Sequence, residues 1–316
     1  MSPHVPWQVI GASVQGALHR RVGLPNQDAI GWSCTQFAGD AASAGDTSDI
    51  LAVALADGHG HPLGIRAQRG ASLAVDVALG LATRDPAALA TRSGAEKFLD
   101  DLATGLPALW MDRVRADLAA DPVGGIELGQ LARLNGTTPI RSFQHHPELA
   151  YGATAILAVA TPDHIILAQL GDGAILTVSK GGAVSYPLES DPRLVANQTW
   201  SLASPDASTH FRTTVLPVTQ QVHKYTKAKN TALELVVLAT DGYVNSYQDD
   251  AAFEQVGTDV LDMLASHGFE TLQAQLPAWL ETTSERGCGD DVTVAFIGHA
   301  AAPRTTGGSR SQESVV

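Results

Sequence analysis

Apolar residues follow two rhythms along this chain. Short unbroken runs, bounded by glycine or turn residues, alternate with longer stretches in which apolar positions return every three or four residues. The unbroken runs read as strands buried on both faces, because no polar residue interrupts them to mark a solvent side. The run opening at Leu51 is of this kind, and Trp7–Ser13, Ala29–Cys34, Tyr151–Ala160, Ile165–Leu170, Ile175–Ser179, Phe211–Val218, Leu233–Ala239 and Val292–Ile297 also read as strands. Helical spacing runs from Leu63 to Thr83, where Asp85-Pro86 stops it. It returns from Ala95 to Leu118, with Leu99, Leu102, Leu106, Leu109, Trp110, Val114 and Leu118 on one stripe. Pro107 is expected to kink or interrupt that helix. Further helices are expected at Glu127–Leu134, Ala251–Ser266 and Thr271–Thr283, the last interrupted by Pro277.

The connections carry their own signals. Phe37–Ser48 is small and polar and reads as a loop. The short turns TPDH and GDGA make Tyr151–Ser179 a three-strand meander, and Gly181-Gly182 adds a hairpin. Leu188–His210 reads as an irregular flap, and Ala300–Val316 is patternless, so disorder is expected there. The order of strands, helices, strands, helices and a last strand describes a layered α+β chain in which helices cover sheets.

The run Leu51–Gly60, LAVALADGHG, organises the rest, because its strand stops at Asp57 and His59 among glycines. Asp-Gly after a strand is by itself an ordinary hairpin turn. The pattern recurs, however, at His164–Gly173, which delivers Asp172, and at Leu233–Gly242, which delivers Asp241. Near the C-terminus the order reverses, with Asp290 and Asp291 preceding the strand. If neighbouring strands are antiparallel, the end of one lies beside the start of the next, so these acids can share one rim. Gathered carboxylates repel unless a cation neutralises them, and an all-oxygen set suits a hard ion such as magnesium or manganese. The adjacent His145 and His146 lie in a turn-rich stretch and read as solvated.

Composition narrows the classes. Of 316 residues, 44% are hydrophobic, enough for a sizeable core, and 17% are charged. A net charge of −13 argues against a nucleic-acid binder, which needs a basic face. The two cysteines, Cys34 and Cys288, lack zinc-site spacing and are too few for a disulfide framework. No signal peptide is visible and no window approaches the ~20 apolar residues of a membrane span, so a cytoplasmic protein with no membrane partner is expected.

Taken together and in order, Asn26-Gln27-Asp28, Asp57-Gly58-His59-Gly60, Gly171-Asp172-Gly173, Asp241-Gly242 and Gly289-Asp290-Asp291-Val292-Thr293 resemble the metal-dependent type 2C serine/threonine protein phosphatases. YGATAILAV, LAQLGDGAILTV and ANQTWSL resemble a bacterial branch of that family, and the similarity spans residues 7 to 298. The resemblance implies a four-layer α-β-β-α sandwich, two antiparallel sheets flanked by helix pairs. One phosphatase domain would cover residues 1–299, with the flap at 188–210 and a disordered tail at 300–316. It implies two manganese or magnesium ions, with Asp57 bridging them, the Gly58 carbonyl on one, and Asp241 and Asp290 on the other. Asp28 would order a water on the metal, and His59 would be the general acid. Asp172 and Asn245 fall where a third, weaker ion can bind. The implied reaction is hydrolysis of phosphoserine and phosphothreonine in the phosphoprotein substrates of a cognate Ser/Thr kinase, by a metal-activated water.

Three departures bear on that reading. Gln27 stands where many members have a glutamate ligand, and an amide oxygen coordinates without charge. Asp291 replaces a common asparagine and could compensate in part. Gly23 lies where many members place a phosphate-gripping arginine; Arg20 and Arg21, with His19 beside them, could take that role or be only a solvated turn. These departures support an alternative, a catalytically weak phosphatase-like regulatory or binding module, and a third reading is a hydrolase of small phosphoesters.

Overall fold

The computed structural model describes residues 6–38, 47–58, 64–129, 143, 145–189, 191, 193, 199–219 and 232–299. Two five-stranded antiparallel sheets form the centre. The first contains β1 (Trp7–Val14), β10 (Val292–His299), β9 (Leu233–Ala239), β6 (Ala174–Ser179) and β7 (Val184–Ser185), in that order. The second contains β2 (Ala29–Ala38), β3 (Thr47–Ala56), β4 (Ala155–Ala160), β5 (His164–Leu170) and β8 (Arg212–Pro217). Helices α2 (Ala67–Ala82) and α4 (Arg92–Ala120) cover the second sheet, with the short α3 (Pro86–Leu89) between them in sequence. Helix α6 (Asp250–Arg286) covers the first, and two short helices, α1 (Ala17–Val22) and α5 (Asp241–Val244), sit at strand ends.

The unbroken apolar runs have a direct physical cause. A strand turns successive side chains to opposite faces, and here both faces are dry. In β3, Ile50, Ala52, Ala54 and Ala56 face α2 and α4. The alternate residues Leu51, Val53 and Leu55 face Ile175, Val236, Leu238, Ala295 and Ile297 of the opposite sheet. The first sheet repeats the scheme, with Ile10, Leu176, Val237, Val294 and Phe296 turned to α6. Four layers therefore enclose three apolar seams, and the α+β sandwich read from the sequence is the fold observed.

Several boundaries move for identifiable reasons. Strands β2 and β3 pair as far as Ala38 and Thr47, so the loop expected at Phe37–Ser48 is shorter, its residues 39–46 lying outside the described ones. Pro107 does not end α4, whose stripe Leu102, Leu106, Trp110 and Val114 is buried along its whole length. Pro277 likewise lies inside α6, and the break comes instead at Gly268, where φ is 77° and only glycine is unstrained. The expected meander is not one. β4 and β5 pair, but β6 belongs to the other sheet, so Gly171-Asp172-Gly173 is a crossing between sheets and not a hairpin turn. The hairpin at Gly181-Gly182 is present, joining β6 to β7. The helix expected at Glu127–Leu134 is described only as a helical segment at 125–129, and the tail at 300–316 lies outside the described residues.

Gly70 of α2 accepts a hydrogen bond from α4 and lies against the backbone just before β4. Trp110 Nε1 donates to the Gly70 carbonyl at 2.9 Å, and a Cβ on Gly70 would lie 1.6 Å from the Tyr151 carbonyl oxygen. Backbone cannot yield as a flexible side chain does. Gly70→Ala is therefore expected to destabilise the protein by about 3 kcal/mol, read as a lowered denaturation midpoint in urea.

Candidate metal centre and active site

Strand ends deliver the acids. Asp57 follows β3, and its backbone is clamped by Thr154: the Asp57 N–H donates to Thr154 Oγ1 and the Thr154 N–H donates to the Asp57 carbonyl, both at 2.9 Å. Gly58 donates its N–H to the Gln27 carbonyl at 3.1 Å. A Cβ there would lie 2.5 Å from the Ala67 carbonyl oxygen and 2.6 Å from that of Gln27, so the chain passes between two backbones only as glycine. Asp241 opens α5 directly after β9, and Asp172 sits on the crossing between sheets. Oxygens of Asp57, Asp172 and Asp241 all lie within 4.8 Å of one another. Asp28, at the start of β2, accepts from Thr240 Oγ1 at 2.7 Å and shares a side-chain hydrogen bond with Asp57.

Electrostatics show what this gathering costs. Burial is the largest influence on each carboxyl, because it takes the charged form out of water. It pushes Asp28 up to about 7, against hydrogen bonds from Thr293 and Thr240 that pull the other way. Asp241 is pushed up to about 7 by burial and then by the charges of Asp172, Asp290 and Asp28. Asp57 is driven well above the carboxylate range by burial and by Asp28, Asp241 and Asp172, and burial raises Asp172. No lysine or arginine among the described residues forms an ion pair with these four acids. An all-oxygen, strongly negative cluster of this kind fits a hard divalent cation.

The second group of acids is arranged differently. The Asp291 carboxylate, 3% exposed, accepts from the Gly16 N–H at 2.6 Å, the Gln27 N–H at 2.6 Å and His19 Nδ1 at 2.8 Å. Its oxygens are thus occupied, and it serves Gln27 by holding the backbone N–H. Its charge stays beside Gln27, and one oxygen each of Asp290 and Asp291 and a ring nitrogen of His19 lie within 4.8 Å of one another. Asp290 is half exposed; its Oδ1 accepts the Asp291 N–H at 2.8 Å and lies 3.6 Å from His19 Nε2. The hydrogen bond to Asp291, with the nearby acid charges, raises the His19 pKa.

The remaining candidates divide. Arg20 is engaged by the Gln15 carbonyl at 2.5 Å and Glu285 at 3.3 Å, whereas Arg21 is exposed and forms no ion pair or hydrogen bond among the described residues. Asn245 Nδ2 donates to Asp241 Oδ2 at 3.2 Å. His145 and His146 are exposed, as their solvated reading required. His59, expected as the general acid, lies outside the described residues.

Some contributors carry no acid and no motif. Thr154 and Thr240 hold Asp57 and Asp28, partners remote in sequence, so no local signal marked them. Arg66, its side chain 3% exposed, donates to Glu127 at 2.7 and 3.0 Å and to the Tyr151 hydroxyl at 2.7 Å. It thereby fixes the chain on the far side of the segment that follows Gly58. The flap, described in part, is tied to the sheet crossing: Thr199 Oγ1 donates to Asp172 at 2.8 Å, and Arg212 donates to the Gly171 carbonyl at 2.8 Å. Trp200 stacks on His210 with ring centres 3.4 Å apart.

Comparison with known proteins agrees with this geometry. Residues 15–281 match the protein phosphatase 2C family. No curated protein matches the sequence. Among solved structures, a bacterial serine phosphatase is 13% identical with a TM-score of 0.53, covering 94% of this chain and 98% of its own. Serine/threonine phosphatase Stp1 from Staphylococcus aureus is 11% identical with a TM-score of 0.51, covering 94% of this chain and 96% of its own. At such identities these likenesses show the fold. The chain belongs to the protein phosphatase 2C family. The enzyme class so defined is that of the serine/threonine protein phosphatases.

Carboxyls raised on folding bind more protons in the folded than in the unfolded state, so they destabilise the fold as they ionise. In chelator, the melting temperature is expected to fall as pH rises from 3.8 to about 7, the interval between the ordinary and raised values of Asp28 and Asp241. Asp57→Asn should flatten that decline. A melting temperature rising steadily through the window in chelator would contradict the assignment.

Proposed function

We propose that this enzyme hydrolyses phosphoserine and phosphothreonine in proteins, using two divalent ions, manganese or magnesium, held at the rim where the strands end. The observation that carries the reading is the convergence of Asp57, Asp172 and Asp241 within 4.8 Å, partly buried beside Asp28 and without an ion-pair partner among the described residues. Bound there, the ions would supply a water acidic enough to give hydroxide near neutral pH and would offset charge on the phosphate.

The chain's own residues then have separate tasks. Asp57 would hold both ions, with the Gly58 carbonyl as a further ligand. Asp241 and Asp290 would hold the second ion, and the Gln27 side chain would offer an uncharged oxygen. Asp28, fixed by Thr240, orients the attacking water and can accept its proton. His59 protonates the departing serine or threonine oxygen. Asp172 and Asn245 offer a weaker third position. Arg21 grips the substrate phosphate, with Arg20 a second candidate. Residues 1–299 act as one catalytic domain, acting in the cytoplasm on the phosphoproteins of a cognate serine/threonine kinase; the unpaired Cys34 and Cys288 agree with that compartment.

Purified protein assayed on a phosphothreonine peptide is expected to release phosphate with manganese and to stop in chelator, and Asp57→Asn should reduce release to background. Peptide binding without turnover in manganese would instead favour a regulatory module. Arg21→Ala is expected to raise KM for the peptide more than Arg20→Ala, because the Arg20 guanidinium is already engaged; equal, unchanged KM values would remove both from the phosphate site.

A further inference from the structure

We propose that His19 is itself a metal ligand, binding through Nε2 the same ion that Asp290 holds. The inference rests on the divalent-metal reading of the site but adds a nitrogen to what is otherwise an oxygen set. Its basis is the way α1 is locked against the Gly289-Asp290-Asp291 turn. Leu18 donates its N–H to the Gly289 carbonyl at 2.8 Å. The Ala17 N–H donates to Ser284 Oγ at 3.0 Å, and that hydroxyl donates to the Asp290 carbonyl at 2.9 Å. A Cβ on Gly16 would lie 2.3 Å from the Asp290 carbonyl carbon, so glycine permits this contact. The imidazole is thereby carried to the acid rim by backbone contacts that do not depend on an ion.

The orientation of the ring decides what it can do. Asp291 is buried and held by two backbone N–H groups, so it is a fixed acceptor for His19 Nδ1. With the proton on Nδ1, Nε2 carries the lone pair, and an oxygen of Asp290 lies 3.6 Å from it. A lone pair facing a carboxylate is repulsive unless a proton or a metal ion lies between them, so Nε2 is a position that either can fill. Two ligands each about 2.1 Å from one ion stand about 3.0 to 3.6 Å apart, so the observed separation already suits a shared cation. A ring nitrogen presented to metal while the other donates to a carboxylate is also the usual arrangement of metal-binding histidines. Asp291 is then the positioning residue and His19 the ligand. Imidazole is a poor partner for magnesium and a good one for transition metals, so His19 would favour manganese over magnesium at this ion.

The test uses the full-length protein loaded with manganese and read by electron spin-echo spectroscopy, with affinities for manganese and magnesium measured by calorimetry. Wild type is expected to show nitrogen modulation from a bound imidazole, and His19→Ala and His19→Gln to lose it. Manganese affinity should fall about tenfold or more in both variants, and magnesium affinity by less. The glutamine variant, with its thermal melt measured in chelator, guards against a simple loss of fold. Manganese bound by wild type without nitrogen modulation, or modulation that survives both substitutions, would overturn the inference while leaving the phosphatase reading in place. Failure of wild type to bind manganese at all would overturn both.

Discussion

Carboxylates drawn out of water at one rim are the constraint on which the rest of this structure depends. The charged forms of Asp28, Asp57, Asp172 and Asp241 are penalised first by loss of water, and those of Asp57 and Asp241 also by neighbouring acids. Left to themselves they would separate or take up protons. What prevents separation is rigid backbone: the paired bonds between Asp57 and Thr154, the Gly58 N–H on Gln27, and the Thr240 hydroxyl on Asp28. The site is preorganised for positive charge because the scaffold supports its strain.

That scaffold is unusually dry for an antiparallel architecture. Helices cover the outer faces of both sheets, so β3, β4, β5 and β10 are buried on both sides for most of their length. Each apolar seam fixes register, since a slip by one residue would exchange the inward and outward sets. Register in turn fixes where each strand stops, and the acids occupy those stopping points. Packing far from the chemistry thus determines the spacing of the carboxylates.

Much of this was legible in the sequence, and the reasons differ by element. Unbroken runs such as Leu51–Ala56 announced their strands because burial on both faces leaves no polar residue to confuse the pattern. The acids were visible because each ends such a run. The partition of strands between sheets was not legible. Gly171-Asp172-Gly173 has the composition of a tight turn, yet β6 pairs with β9, a partner more than fifty residues on, and only long-range register decides that. Pro107 and Pro277 carry a local signal for interruption that tertiary burial of Trp110 and Leu280 overrides. The supporting residues were hidden for another reason. Thr154, Thr240 and Arg66 have ordinary neighbours in sequence and acquire meaning only through partners such as Asp57, Asp28 and Glu127. His19 was noticed merely as a neighbour of two arginines, and its contact with Asp291 spans most of the chain.

The crossing at Asp172 has a mechanical consequence. Asp57 belongs to one sheet, Asp241 and Asp290 to the other, and Asp172 to the thread between them. Divalent ions held among them would rivet the two halves of the sandwich together, and any shear of one sheet past the other would be felt first at their ligands. The same bond that prepares the chemistry would therefore stiffen the whole sandwich, tying catalytic competence to the cohesion of its two halves.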